Sequence, residues 1–208
     1  MEAVARQFAT DEHVMVLRNG WFSYRWTEIF DMGGEGHTIP SSHTVLKAQP
    51  VSATDGSEHT HFAPYPIDQV VEKIKEERPA AFFCPHVETS TGMILPDSYI
   101  KQAAQAVHEV GGVFVLDCIA SGTVWVDMKD LGVDVLISAP QKGWTGREYN
   151  VFCLLWISID ILVFSHLIGY HICYSTSAPC AALVQLSERA VEIMNKKQET
   201  SFSMSLRR

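Results

Sequence analysis

Apolar residues fall along this chain in short blocks whose spacing switches between helical and extended. From Met1 to Ala9, Ala3, Val4 and Phe8 share one face at helical spacing, which predicts a helix. His13 to Leu17 is a short apolar run that reads as a strand, and Arg18-Asn19-Gly20 signals a turn after it. Trp21 to Met32 returns to helical spacing, with Gly33-Gly34 to stop it. Thr44 to Ala48 predicts a strand. Ile67 to Glu77 follows a proline and sets Ile67, Val70, Val71 and Ile74 on one helical face, ended by Arg78-Pro79.

The alternation continues downstream. Ala80 to Cys84 reads as a strand, and Pro96 to Val110 as a helix with an early proline and Gly111-Gly112 at its end. Val113 to Asp117 is a strand, Met128 to Leu131 a helical turn, and Val133 to Ser138 a strand. Ala181 to Leu186 is a further strand, and Ser187 caps a helix reaching about Lys197. Strands alternating with helices predict an α/β fold with a largely parallel sheet flanked by helices. The strands are apolar almost throughout, as burial on both faces requires. Ligands in such sheets gather beyond the C-terminal strand ends. Three loops fall there: after Cys84, after Asp117 and around Lys142.

A length of 208 residues allows one domain with a substantial core, or a large domain plus a fragment. The net charge of -8 argues against a general nucleic-acid binder. Five cysteines without paired spacing, and no secretory leader, predict a reducing intracellular setting without a disulfide framework. The cytoplasm or peroxisome is expected, although the C-terminus is not a standard targeting signal. His59-Thr60-His61 with Cys84 and His86 has no zinc-like spacing, so loop histidines are the preferred reading there and no metal is expected. The chain carries no phosphate-binding glycine fingerprint and no nucleophile elbow.

The strand-end loops carry the candidate chemistry. The loop Pro85-His86-Val87-Glu88-Thr89-Ser90-Thr91-Gly92 gathers hydroxyls that could bond a cofactor's phenolic oxygen; the plainer alternative is a helix-entry loop capped by Ser or Thr. Asp117 ends a strand. A carboxylate there can keep a pyridine nitrogen protonated, which makes the ring an electron sink; the alternative is an Asp that caps the next turn. Lys142, in Ser138-Ala139-Pro140-Gln141-Lys142-Gly143-Trp144, can hold an aldehyde as a Schiff base, although most lysines are solvated surface groups. Taken together, Lys142 and Asp117 predict a pyridoxal-phosphate enzyme.

The runs His86 to Gly92, Val115 to Gly122 and Ser138 to Trp144 resemble the class V aminotransferases of fold type I, in the branch of the alanine–, serine– and ureidoglycine–glyoxylate enzymes. The resemblance extends from Met1 to about Gly146 and resumes from Pro179. It implies part of the large domain of that fold and pyridoxal 5'-phosphate as cofactor. By position, Lys142 looks like the Schiff-base lysine and the proton carrier. Asp117 looks like the partner of the pyridine nitrogen, and Ser90 like the hydroxyl near the phenolic oxygen. Ile119 looks like the side chain on one ring face, with Phe22, or Trp21 if the alignment shifts by one, on the other. Gln141 looks like the residue that approaches the phosphate. The implied reaction moves an amino group from a small amino acid to glyoxylate or a similar 2-oxo acid, in a homodimer.

The pattern also departs from the family. Met1 to Phe8 resembles the helix that follows the family's phosphate loop, so that loop is expected to be missing, as is the small C-terminal domain with its carboxylate-binding arginine. Arg147 to Ala178 has no counterpart, since Trp144-Thr145-Gly146 should lead almost directly to Pro179. The expected organisation is therefore a partial large domain over 1–146, a hydrophobic insertion over 147–178 and a continuation over 179–208. Three readings of the insertion stand: a translated intron, which is preferred, a soluble insertion, or a membrane span through 151–174. In a span, Asp160 would cost about 2.5–3.5 kcal/mol near its centre. A catalytically incompetent shortened form and a membrane-anchored form are the alternatives to an active aminotransferase.

Overall fold

Four of the six strands in the central sheet are apolar at nearly every position, and the helices that cover them lie on both sides. The computed structural model describes residues 1–32, 39–51, 60–139, 142, 182–198 and 204–207. Gln141 and all of 147–178 lie outside these residues.

The strands are β1 (His13–Arg18), β2 (Ser42–Lys47), β3 (Gln49–Val51), β4 (His61–Ala63), β5 (Ala81–Pro85), β6 (Val87–Glu88), β7 (Met93–Ile94), β8 (Val113–Asp117), β9 (Val135–Ser138) and β10 (Leu183–Leu186). The helices are α1 (Glu2–Ala9), α2 (Tyr24–Asp31), α3 (Ile67–Glu77), α4 (Asp97–Glu109), α5 (Met128–Leu131) and α6 (Glu188–Lys196). The six-stranded sheet runs β10-β9-β8-β5-β1-β2. Its pairings are parallel except that of β10 with β9. This is the α/β architecture that the alternation predicts.

Alternate residues of each strand feed two separate cores. Met15 and Leu17 of β1 pack with Phe82, Phe114 and helices α3, α4 and α5 on one face. Val14 and Val16 pack with Phe83, Val115 and helices α1, α2 and α6 on the other. Burying large side chains such as Phe8, Phe82 and Trp26 without exposure stabilises each face by about 1.5–3 kcal/mol per side chain.

The chain moves outward from β1 to β2, then crosses back to β5 and continues through β8 to β9. The helix after β1 lies on one face and the helix after β5 on the other. The helices that follow β1 and β5 therefore leave toward opposite faces of the sheet, the switch in direction beside which α/β sheets bind ligands.

Several boundaries differ from the sequence reading. The helix expected from Trp21 begins at Tyr24, because the Ser23 hydroxyl accepts from the Asn19 and Gly20 N–H groups and holds residues 19–23 as a turn. Two small antiparallel pairs, β3 with β4 and β6 with β7, occupy stretches that read as loop. The strand expected from Val133 starts at Val135, after Gly132 takes a left-handed conformation that closes α5. Among the described residues no helix is long and apolar enough to cross a membrane; residues 151–174 are not among them.

A buried carboxylate locks the end of the sheet opposite the candidate site. Asp134 is 2% exposed and accepts from His108 Nε2 at 2.8 Å, Phe114 N–H at 2.9 Å, Arg189 at 2.9 Å and Ser187 Oγ at 3.1 Å. Burial raises the carboxyl pKa, but these donors outweigh it and hold it below the usual range. The cluster fastens α6 to α4 and β8.

Candidate active site

The residues singled out in the sequence gather at the C-terminal edge of the sheet, each on its own strand end. Asp117 closes β8, and Ile119 follows it, partly buried. Ser90 lies in the loop after β5, and Trp21 and Phe22 lie in the turn after β1. Lys142 lies beyond β9, exposed, in a turn where its N–H donates to the Ala139 carbonyl at 3.1 Å. Gln141, expected near the phosphate, falls outside the described residues.

Asp117 sits where a carboxylate is expensive. Burial pushes its carboxyl up to about 6, with a smaller push from the nearby Glu88, against a 3.1 Å bond from the Ile119 N–H and the attraction of the Met1 amino group. That bond is the turn cap considered as the alternative role. The indole N–H of Trp26 approaches the same carboxylate without closing a bond of standard geometry. No Lys, Arg or His side chain pairs with Asp117 among the described residues.

The junction of the loops after β1 and β5 is organised by a residue that the sequence reading did not assign, Glu88. It is 1% exposed yet lies only just beneath the surface. Its Oε1 accepts from the Phe22 N–H at 3.0 Å and Ser90 Oγ at 2.6 Å. Its Oε2 accepts from the Ser23 N–H at 2.9 Å and Ser23 Oγ at 2.7 Å. Burial would raise the carboxyl pKa, but these four donors outweigh it, so the group lies below its ordinary value and stays ionised.

Ser90 completes the clamp. Its hydroxyl donates to Glu88 and accepts from the Trp21 N–H at 2.8 Å. The loop after β5 is thereby stitched to the aromatic turn after β1. An ionised Glu88 can only accept, so the Ser90 hydroxyl proton points to it. Gly20 permits the approach: a side chain there would run into Ser90 Oγ and come within 2.7 Å of Glu88 Cγ.

The clamped turn presents Trp21 and Phe22 outward, 75% and 56% exposed. Trp21 stacks on Tyr24 with ring centroids 6.4 Å apart, and the Arg18 guanidinium lies 4.4 Å from the centre of the Tyr24 ring. Beneath the loops, His86 is buried, with Nδ1 2.7 Å from Ser121 Oγ, and burial lowers its pKa and favours the neutral ring. Its N–H donates to the Asp117 carbonyl, which ties the β5 loop to the β8 end.

No protein-family model matches the chain. It is 40% identical over 58 residues to the 2-aminoethylphosphonate–pyruvate transaminase of Syntrophobacter fumaroxidans, a match over 27% of this chain and 15% of that protein. It is 30% identical over 79 residues to the alanine–glyoxylate aminotransferase of Rattus norvegicus, over 38% of this chain and 18% of that one. The fold superposes on the ureidoglycine–glyoxylate aminotransferase of Bacillus subtilis with a TM-score of 0.58 at 21% identity, over 93% of this chain and 38% of that structure. The chain is similar to class V aminotransferases in these short segments and shares the fold of the fold type I aminotransferases. It spans less than a fifth of the curated relatives it matches and about two fifths of that solved structure. Within the family's fold, the described residues supply the mostly parallel sheet of the large domain, with its strand-end loops.

Proposed function

We propose that this chain carries the cofactor-binding face of a pyridoxal-phosphate-dependent aminotransferase, which moves an amino group between a small amino acid and glyoxylate or a similar 2-oxo acid. The observation that carries the reading is Asp117. It ends β8, its carboxyl is pushed up to about 6 by burial, and it lacks a cationic side-chain partner among the described residues. A protonated ring nitrogen is the charge such a group lacks. The exposed aromatic turn held by Glu88 offers a flat apolar face beside it.

In this reading Asp117 holds the ring nitrogen protonated, and the bound cofactor supplies an electron sink for the substrate carbon. Phe22 or Trp21 covers one ring face and Ile119 the other. Ser90 would meet the phenolic oxygen by turning its hydroxyl proton from Glu88 to that acceptor, and Gln141 is assigned to the phosphate by the resemblance alone. Lys142 holds the cofactor by its amine. With its amine free, Lys142 Nζ would carry the proton at the substrate carbon, first as base and then as acid. Glu88 touches none of the reacting atoms and positions both Ser90 and the aromatic turn.

The test is direct. Purified chain mixed with excess pyridoxal phosphate is expected to show the absorbance band of lysine-bound cofactor and a borohydride-trapped adduct on Lys142, both lost in Lys142→Ala. Absence of band and adduct in the unaltered chain overturns the proposal.

A further inference from the structure

On the outer side of the aromatic turn, away from Asp117, a cavity of about 260 Å³ opens at the ends of β1 and β2. Arg18 and Lys47 line it and are register partners in the parallel pair, so their side chains leave the sheet on the same face. Among the described residues neither forms an ion pair with a carboxylate and no acid lines the cavity. The guanidinium of Arg18 lies over Tyr24 and makes one long bond, 3.4 Å, to Thr27 Oγ1, which leaves most of its donors uncommitted. In a chain of net charge -8, two neighbouring cations lining a hollow with no acid among its described residues mark a local positive site.

A second observation points to a ligand there. Asn19 lines the same cavity, is 2% exposed, and its side-chain Oδ1 is buried without a hydrogen-bond partner. A buried polar atom left unpaired costs about 1–3 kcal/mol. An amide can turn end for end, so the unmet group beside the cavity can serve as a donor or an acceptor once a ligand draws the side chain toward it. Phe62, half exposed, forms an apolar wall, and Thr91 closes the side toward Ser90.

We propose that this cavity binds the carboxylate of a small organic acid, held between Arg18 and Lys47 against the Asn19 amide with its carbon body on Phe62. The choice of a short amino or oxo acid as the bound carboxylate rests on the aminotransferase reading; the anion site itself does not. Its position shares the turn that carries Trp21 and Phe22, so occupancy tightens that turn from behind.

Calorimetric titration with sodium pyruvate tests it, with inorganic phosphate as the anion-only control. The full chain and its Lys142→Ala form are both titrated, since the variant removes covalent chemistry at that lysine. Expected are saturable binding at one site per chain in both forms, weakening as salt screens the two cations, and at least a tenfold loss in Lys47→Glu. Lys47 is exposed, and Lys47→Gln, which keeps the side-chain length, should lose affinity in the same direction while melting at the wild-type temperature. Unchanged binding in both Lys47 variants, no saturable binding, or binding of phosphate but not pyruvate overturns the proposal. The cofactor reading fails separately, by loss of the Lys142 adduct while pyruvate still binds.

Discussion

Replacing Glu88 by Gln tests the clamp at a known cost. The carboxylate accepts from the backbone N–H groups of Phe22 and Ser23, from that of Ser90 at 3.4 Å, and from the hydroxyls of Ser23 and Ser90. A glutamine offers one acceptor and one donor, so whichever way the amide turns, one backbone N–H faces an NH2 group. The serine on that side can rotate, but the backbone cannot. A buried donor left unpaired costs about 1–3 kcal/mol, and the remaining bonds lose their charge assistance, which roughly halves each. The sum is about 3–5 kcal/mol, a large part of the stability of an ordinary domain. Urea unfolding at pH 7, followed by far-ultraviolet circular dichroism, measures it, and Trp21 emission reports the freed turn. The pH dependence adds a second check. The folded carboxyl lies below its ordinary value of 4.5, so its contribution is complete above that pH and is lost as pH falls through the folded value. Variant and wild type should therefore converge near the acid end. A loss under about 1 kcal/mol at pH 7, or a difference that persists unchanged in acid, refutes the reasoning.

Asp117 titrates with the opposite sign. Its folded carboxyl sits at about 6 against an ordinary 3.8, so the associated stability is complete below 3.8 and is lost as pH rises through 6. Without cofactor, Asp117→Asn should be more stable than wild type at pH 7.5 by up to about 3 kcal/mol and equal to it at pH 3.5, by denaturant titration. Asp134→Ala removes the shared acceptor of His108, Phe114, Ser187 and Arg189 and should cost about 3–5 kcal/mol in thermal or urea unfolding at pH 7.

The large features were legible because each is stated locally. Ile67, Val70 and Ile74 mark α3 by their spacing, and the uninterrupted apolar run from Val113 ends at the Asp117 that closes β8. The α/β rule then sends Ser90, Asp117 and Lys142 to one edge without further information. What the sequence hid is nonlocal. Trp21 has helical spacing, yet the Ser23 hydroxyl captures the Asn19 and Gly20 amides and delays the helix by three residues. The pairs at Gln49–Val51 with His61–Ala63 and at Val87–Glu88 with Met93–Ile94 are too short to show an alternation. Glu88 reads as one more loop acid, since its backbone donors stand 65 and 66 residues upstream. The single available hint was an acid set between a histidine and two hydroxyl residues at a strand end.

That separation has a consequence for how the fold is reached. Closing a loop of this length is entropically opposed by on the order of 4 kcal/mol, and it is the parallel pairing of β1 with β5 that overcomes it. By the time Glu88 meets Phe22 and Ser23, the strands have already brought them together. The clamp therefore holds the finished junction without guiding the chain toward it. Its loss should accelerate unfolding and leave the rate of folding nearly untouched.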